Sequence, residues 1–158
     1  MITDKDQLIV AVGNAMEHYI SDFDAAWYID YTTQDVVMVE DYAFQHNVDD
    51  AEAKWAQEMI EMAHTHRLER IDNPSDEVRR QVMMNFAESQ PTRNLVGHLS
   101  FSIIQQQEFA SFENVVQELR LEKSWKTFRK DEYQRIAKKW IKKKRFDFVD
   151  GQLVRRTD

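Results

Sequence analysis

FASFENVVQELRLEKSWKTFRKDEYQRIAKKWI, Phe109 to Ile141, carries the two signals on which a reading of this chain turns. The first is its spacing of aromatics. Phe109 and Phe112, then Trp125 and Phe128, stand three residues apart, and Tyr133 and Trp140 stand seven apart. Such offsets bring rings onto one face of a helix. The second is charge. Residues 120–158 hold 14 Lys and Arg against 6 Asp and Glu, a net of +8, while residues 1–119 hold 7 against 22, a net of −15. A basic end on an acidic protein implies either internal complementarity or an anionic partner.

The spacing divides this stretch into helical pieces. Phe112, Val116 and Leu119 form one apolar face, and Ser124 to Phe128 reads as a short helix. Asp131, with Gln134 three residues on, reads as the cap of a last helix whose stripe is Tyr133, Ala137 and Trp140. Beyond it, Phe146–Val149 and Gln152–Arg155 flank Asp150-Gly151, the strongest hairpin signal in the chain.

Working back toward the start, Leu95, Leu99 and Ile103 mark a helix restarted after Pro91, with Gln105-Gln106-Gln107 as its exposed end and Gly97 as an interior irregularity. Pro74 breaks the chain before Ser75, which caps a helix with Asp76 and Glu77 in its first turn and Val78, Val82 and Phe86 on its buried face. Arg67 to Ile71 reads as a short strand. A helix is expected from Asp49 or Asp50 to about Thr65, with Trp55, Met59 and Met62 on one face, after a loop at 41–48. Ala26 to Glu40 reads as a hairpin turning at Thr32-Thr33-Gln34-Asp35. Thr3 to Ile20 reads as a helix capped by Thr3, with Leu8, Val12, Ala15 and Tyr19 at the helical period. The expected fold class is α+β, a mostly helical single domain over 1–158 with a small antiparallel sheet. Its basic helix and hairpin span 131–156.

Composition agrees. The chain has 158 residues, enough for one self-sufficient core, and only 3 Gly and 2 Pro, too few for a loop-rich β protein. Without cysteine it has no disulfide, thiolate zinc site or Cys nucleophile. No apolar run approaches the ~20 residues of a membrane span, and the start lacks the basic, then apolar, pattern of a secretory leader. The default location is cytoplasmic.

Three segments together suggest a family. Tyr28 to Val37 resembles a strand, acidic turn and strand. Arg67 to Ile71, Pro74, Ser75 and the helix to Phe86 resemble a strand leading into a helix that ends in Phe. The third is the aromatic series from Phe109 to Trp140. In this order they resemble an uncharacterised bacterial family, number 0158 in the series without assigned function, over most of residues 24–141. The helix around Trp55 and the basic end depart from its pattern. The resemblance implies an α+β fold and a bacterial source, and brings no catalytic residues with it.

Candidate chemistry is sparse. His64 and His66 share a face only in a strand, and His18, His46 and His98 stand apart from them. Neither HxxxH nor HExxH occurs, so no metal or cofactor is expected. Asp22, Asp24, Glu40, Asp41, Asp49, Asp50 and Glu52 flank the first hairpin. They read as solvated caps and loops, or as paired carboxylates that hold a divalent cation or do acid–base work, the enzyme alternative being a hydrolase or nucleic-acid-modifying enzyme that uses Asp22, Asp24 and Asp30. No GxSxG, Walker A or GxGxxG motif is present. The Met59/Met62 and Met83/Met84 pairs read as core. What remains is the basic helix. Arg135, Lys138, Lys139, Lys142, Lys143 and Lys144 lie opposite its apolar stripe, and Arg145, Arg155 and Arg156 extend the patch. It reads as a solvated face partly paired with the acidic remainder, or as a contact for a protein, a nucleic acid or an anionic membrane surface. The expectation is a non-enzymatic binding or regulatory module for a macromolecular partner.

Overall fold

The computed structural model describes residues 1–18, 25–40, 68–105 and 109–156. The fold is α+β and mostly helical. In chain order the described elements are α1 (Lys5–Glu17), β1 (Ala25–Asp30), β2 (Asp35–Glu40), β3 (Leu68–Arg70), α2 (Asp76–Glu88), α3 (Arg93–Gln105), α4 (Phe109–Glu118), α5 (Glu122–Lys144), β4 (Phe146–Val149) and β5 (Gln152–Arg155). They divide into two compact units: Met1–Asn73 with Gln134–Asp158, and Pro74–Tyr133. No described helix is long and apolar enough to cross a membrane.

In the first unit an antiparallel sheet runs in the order β2-β1-β3. Its register pairs Ile29 with Val36 and Ala26 with Val39. Ala26 and Ile29 are of opposite parity along β1, yet both are buried. The central strand is therefore covered on both faces. Asp30 makes the turn into β2. Its carboxylate oxygen Oδ1 accepts the backbone N–H of Thr32 (2.9 Å) and of Thr33 (3.4 Å).

Helix α1 starts one residue later than Thr3 would cap it. Asp4 is the cap, its carboxylate accepting the N–H of Gln7 at 2.8 Å, and Gln7 Oε1 accepts the Thr3 N–H in return. The helix runs antiparallel to the end of α5. Gly13 makes the close approach: a Cβ there would stand 3.0 Å from Gln134 Cγ and 3.1 Å from Gln134 Cα.

The second hairpin, β4–β5, turns on Asp150 (φ 52°) and Gly151 (φ 75°), both left-handed as a type I′ turn requires. Phe146 at its start stacks on Trp140 (5.4 Å between centroids) and on Tyr31 (6.2 Å). A buried amide fastens the ends of this unit together. Gln34 Nε2 donates to Ile2 O (2.8 Å) and Gly151 O (2.9 Å), while Ile2 N–H donates to Gln34 O.

The second unit is helical. Its core is a triad of rings: Phe86 lies 5.1 Å from Trp125 and 6.4 Å, edge-on, from Phe112, and Phe112 lies 5.0 Å from Trp125. Trp125 Nε1 donates to the Glu113 carboxylate (3.0 Å). Ser75 caps α2 as expected, accepting the Val78 N–H at 3.2 Å. The buried face of α2 differs from the expected one. Val82 and Phe86 are buried with Met83 and Ala87, whereas Val78, in the first turn, is exposed. Phe128 is half-buried, packed at 5.3 Å against Phe86.

The expected break at Asp131 is absent. Glu122 to Lys144 forms one helix of 23 residues, with Asp131 exposed in its interior. Nothing between Phe128 and Tyr133 is a Gly or Pro, so the backbone ladder continues and Asp131 has no open N–H to cap. The expected loop at 41–48, the helix around Trp55, Met59 and Met62, and Tyr19 and Ile20 lie outside the described residues.

Candidate functional site

The buried stripe of α5 within the first unit is Ala137, Trp140 and Ile141. Ile141 adds to the expected pair. Trp140 Nε1 donates to Asp72 Oδ2 at 2.9 Å, so the ring's polar edge is satisfied as well as its faces. At 100° per residue, Arg145, Lys138, Lys142, Lys139 and Lys143 then spread over about 160° on the opposite side of the helix. All five are exposed, and among the described residues they make no ion pair. Arg135 is exposed and engaged, and Lys144 is half-buried.

The structure sorts these cations into two groups. Lys138, Lys142 and Arg145 join Lys5, Asp6 and Ile9 of α1, Ile141, and Phe146, Asp147 and Arg156 of the hairpin around a groove of about 510 Å³. Lys139 and Lys143 lie outside it. Asp147 is the fixed anion of the groove. It meets Arg156 Nε at 2.7 Å and Lys5 Nζ at 3.5 Å, and accepts the Phe148 N–H at 2.8 Å. That backbone donor first, then the two cations, hold its carboxyl below the usual carboxylate range.

Arg145 stands at the end of α5 with φ 63°, in the left-handed region where glycine is usual. Its N–H donates to Lys142 O (3.1 Å) and its carbonyl accepts the Arg156 N–H (2.8 Å), so the hairpin holds the helix end in place. Lys142, Lys143 and Lys144 sit in the last turn, where the helix dipole favours positive charge.

Arg155, expected to extend the patch, is used elsewhere. It donates through Nε to Lys144 O (3.0 Å) and through a guanidinium N–H to Glu69 of β3 (2.5 Å). Glu69 also accepts the Tyr31 hydroxyl. Burial, reinforced by this carboxylate, raises the phenol well above its ordinary value, so Tyr31 keeps its proton and is no nucleophile at neutral pH. Arg155 thus ties β3, the helix end and the hairpin together.

Of the carboxylates considered for acid–base chemistry, Asp30 is committed to its turn, and Asp22, Asp24, Asp41, Asp49, Asp50 and Glu52 lie outside the described residues, as do His46, His64 and His66. His18 ends α1, its Nδ1 3.0 Å from Asn14 O, and His98 is an exposed residue of α3. Among the described residues no three His, Asp or Glu side chains converge as a metal site would need. Sequence reasoning missed Lys5, Asp6 and Ile9 as partners of the basic helix. Only the antiparallel pairing of α1 with α5 brings them there, and no local pattern announces it. No family model, curated protein or solved structure matches the chain.

Proposed function

We propose that this protein is a non-enzymatic binding module whose basic helix end engages the phosphate backbone of a nucleic acid. One observation carries the reading: five cations that make no ion pair among the described residues, Lys138, Lys139, Lys142, Lys143 and Arg145, occupy the exposed arc at the end of α5. From residue 138 to residue 145 the helix rises about 10 Å, so the arc carries roughly one positive charge per 2 Å. Duplex DNA carries one negative charge per ~1.7 Å of axis. The helix dipole accounts for cations in the last turn only. Lys138 and Lys139 stand further back.

The rings of this helix end face inward, Trp140 being 7% and nearby Phe146 3% exposed, so neither offers bases a stacking surface. Recognition through the backbone alone is sequence-tolerant. The net charge of −7 opposes approach at long range, so affinity is modest, and counterion release at the local cations makes it highest at low salt.

The test is fluorescence anisotropy with labelled duplex and single-stranded oligonucleotides across a salt series. Binding whose log K falls with log salt at a slope of about −4, reflecting four or five phosphates, is the expected result. Replacing Lys138, Lys139, Lys142 and Lys143 together by Glu abolishes it with the fold intact. Absence of binding at low salt, or binding that survives the fourfold variant, overturns the proposal.

A further inference from the structure

We infer that the groove between α1, the end of α5 and the β4–β5 hairpin is a binding site for a small, soluble organic phosphate monoester with an apolar body. The inference needs only the groove, and it stands whether or not the outer arc binds nucleic acid.

The groove brings five cations, Lys5, Lys138, Lys142, Arg145 and Arg156, together with two carboxylates, Asp6 and Asp147. Two of the five are already matched: Lys5 and Arg156 close on Asp147. With Asp6 at the rim, Lys138, Lys142 and Arg145 remain without an ion pair among the described residues. The surplus suits a dianion better than a single carboxylate, and an arginine fork matches the geometry of phosphate oxygens. Ile9, half-buried on α1, is the apolar wall of the same space, and Ile141 and Phe146, almost fully buried, close it only from beneath. A volume of about 510 Å³ lies within the ~300–1,000 Å³ of small-ligand sites. An ordinary metabolite-sized phosphate ester has both parts this surface calls for: a doubly charged head and an apolar body.

The backbone fixes Arg145 at the groove: left-handed with φ 63°, it is pinned by its N–H donating to Lys142 O and its carbonyl accepting the Arg156 N–H. Asp147 shows how the site treats an oxyanion: two cations and a backbone N–H converge on its carboxylate. A ligand phosphate takes the neighbouring cations in the same manner and competes with Asp147 for Lys5 and Arg156.

The test is isothermal titration calorimetry of the full chain with 1-naphthyl phosphate, and with inorganic phosphate and 1-naphthoate as comparisons, at low ionic strength. Naphthyl phosphate is expected to bind more tightly than either. Arg145→Gly should weaken it at least about tenfold, the worth of one charge-assisted hydrogen bond, with an equal or higher melting temperature because glycine is favoured at that position. Asp147→Asn, which keeps the acceptor for the Phe148 N–H and removes the competing charge, should tighten binding. Lys139→Glu, outside the groove, should weaken oligonucleotide binding and leave naphthyl phosphate binding in place, so the two proposals fail separately. Absence of binding heat, affinity undiminished in Arg145→Gly, or equal affinity for inorganic phosphate overturns the inference. So does co-sedimentation with phosphatidic acid vesicles that naphthyl phosphate fails to displace, which would put the phosphate on a membrane.

Discussion

Replacing Gly13 by alanine should destabilise this protein, although alanine is the better helix former. Gly13 lies inside α1 and is buried. Intrinsic propensity favours alanine there by about 0.8–1.0 kcal/mol. Against that stands the wall the new methyl meets. Its nearest neighbours would be Gln134 Cγ at 3.0 Å, Gln134 Cα at 3.1 Å and Gln134 N at 3.2 Å. The first is a side-chain atom and can swing away. The other two are backbone and cannot. Relief requires α1 and α5 to part by a few tenths of an ångström, which loosens Leu8, Val12, Ala15 and Met16, all buried on α1. Overpacking of this kind costs about 1–3 kcal/mol, and even a small gap forfeits part of every dispersion contact along the seam. The net expectation is a loss of up to about 2 kcal/mol. Gly97 supplies the control, because a Cβ there meets nothing within 4 Å. Gly97→Ala should therefore return the propensity gain alone, stabilising by about 0.5–1 kcal/mol. Urea denaturation followed by far-ultraviolet circular dichroism measures both, with midpoints moving in opposite directions at unchanged m-values. If Gly13→Ala raises the midpoint as Gly97→Ala does, α1 and α5 are not in the close contact described.

Two further outcomes follow from the same geometry. Trp140→Ala should cost about 3–5 kcal/mol, the usual range for deleting a buried large aromatic, and also leaves Asp72 without its indole donor; a variant that melts like wild type would show the ring to be exposed. Tyr31 keeps its proton in the folded state to higher pH than in the unfolded chain, so its contribution is complete below the unfolded value of 10.0 and is lost as pH rises beyond it. Tyr31→Phe should lower the melting temperature at neutral pH and flatten its decline above about pH 10, and parallel declines in the two proteins would contradict the reading.

How far the sequence foretold this depends on the reach of each signal. Asp150-Gly151 announced its hairpin because two adjacent left-handed residues are a local demand that few residue pairs meet. The first hairpin was legible from strand formers on either side of a polar turn. What its sequence did not disclose is that Gln34 takes the left-handed position and reaches with its amide across to Ile2 and Gly151. Asp131 misled because a cap is defined by the open N–H groups after it, and an uninterrupted helix leaves none. Val78 misled because it sits in the first turn of α2, where the face covered by neighbours has yet to begin. The groove was the least legible feature. Its basic side was evident from the charge split, but Lys5 and Arg156 come from distant parts of the chain, and only tertiary packing sets them about Asp147.

The amide of Gln34 also bears on the order in which the chain can fold as it is made. The first unit is assembled from Met1–Asn73 and Gln134–Asp158, with the whole of Pro74–Tyr133 between them. At about 5–20 residues per second, a ribosome needs roughly 3–12 s to make that intervening stretch. Throughout that interval α1 lacks the helix that Gly13 is shaped to receive, and Gln34 lacks the carbonyl of Gly151. The helical unit, continuous in the chain, can close its Phe86–Phe112–Trp125 core first. The half-made first unit must meanwhile keep its apolar surfaces from other chains, so a slow step in translation between residues 74 and 133 lengthens the window in which this protein is open to aggregation.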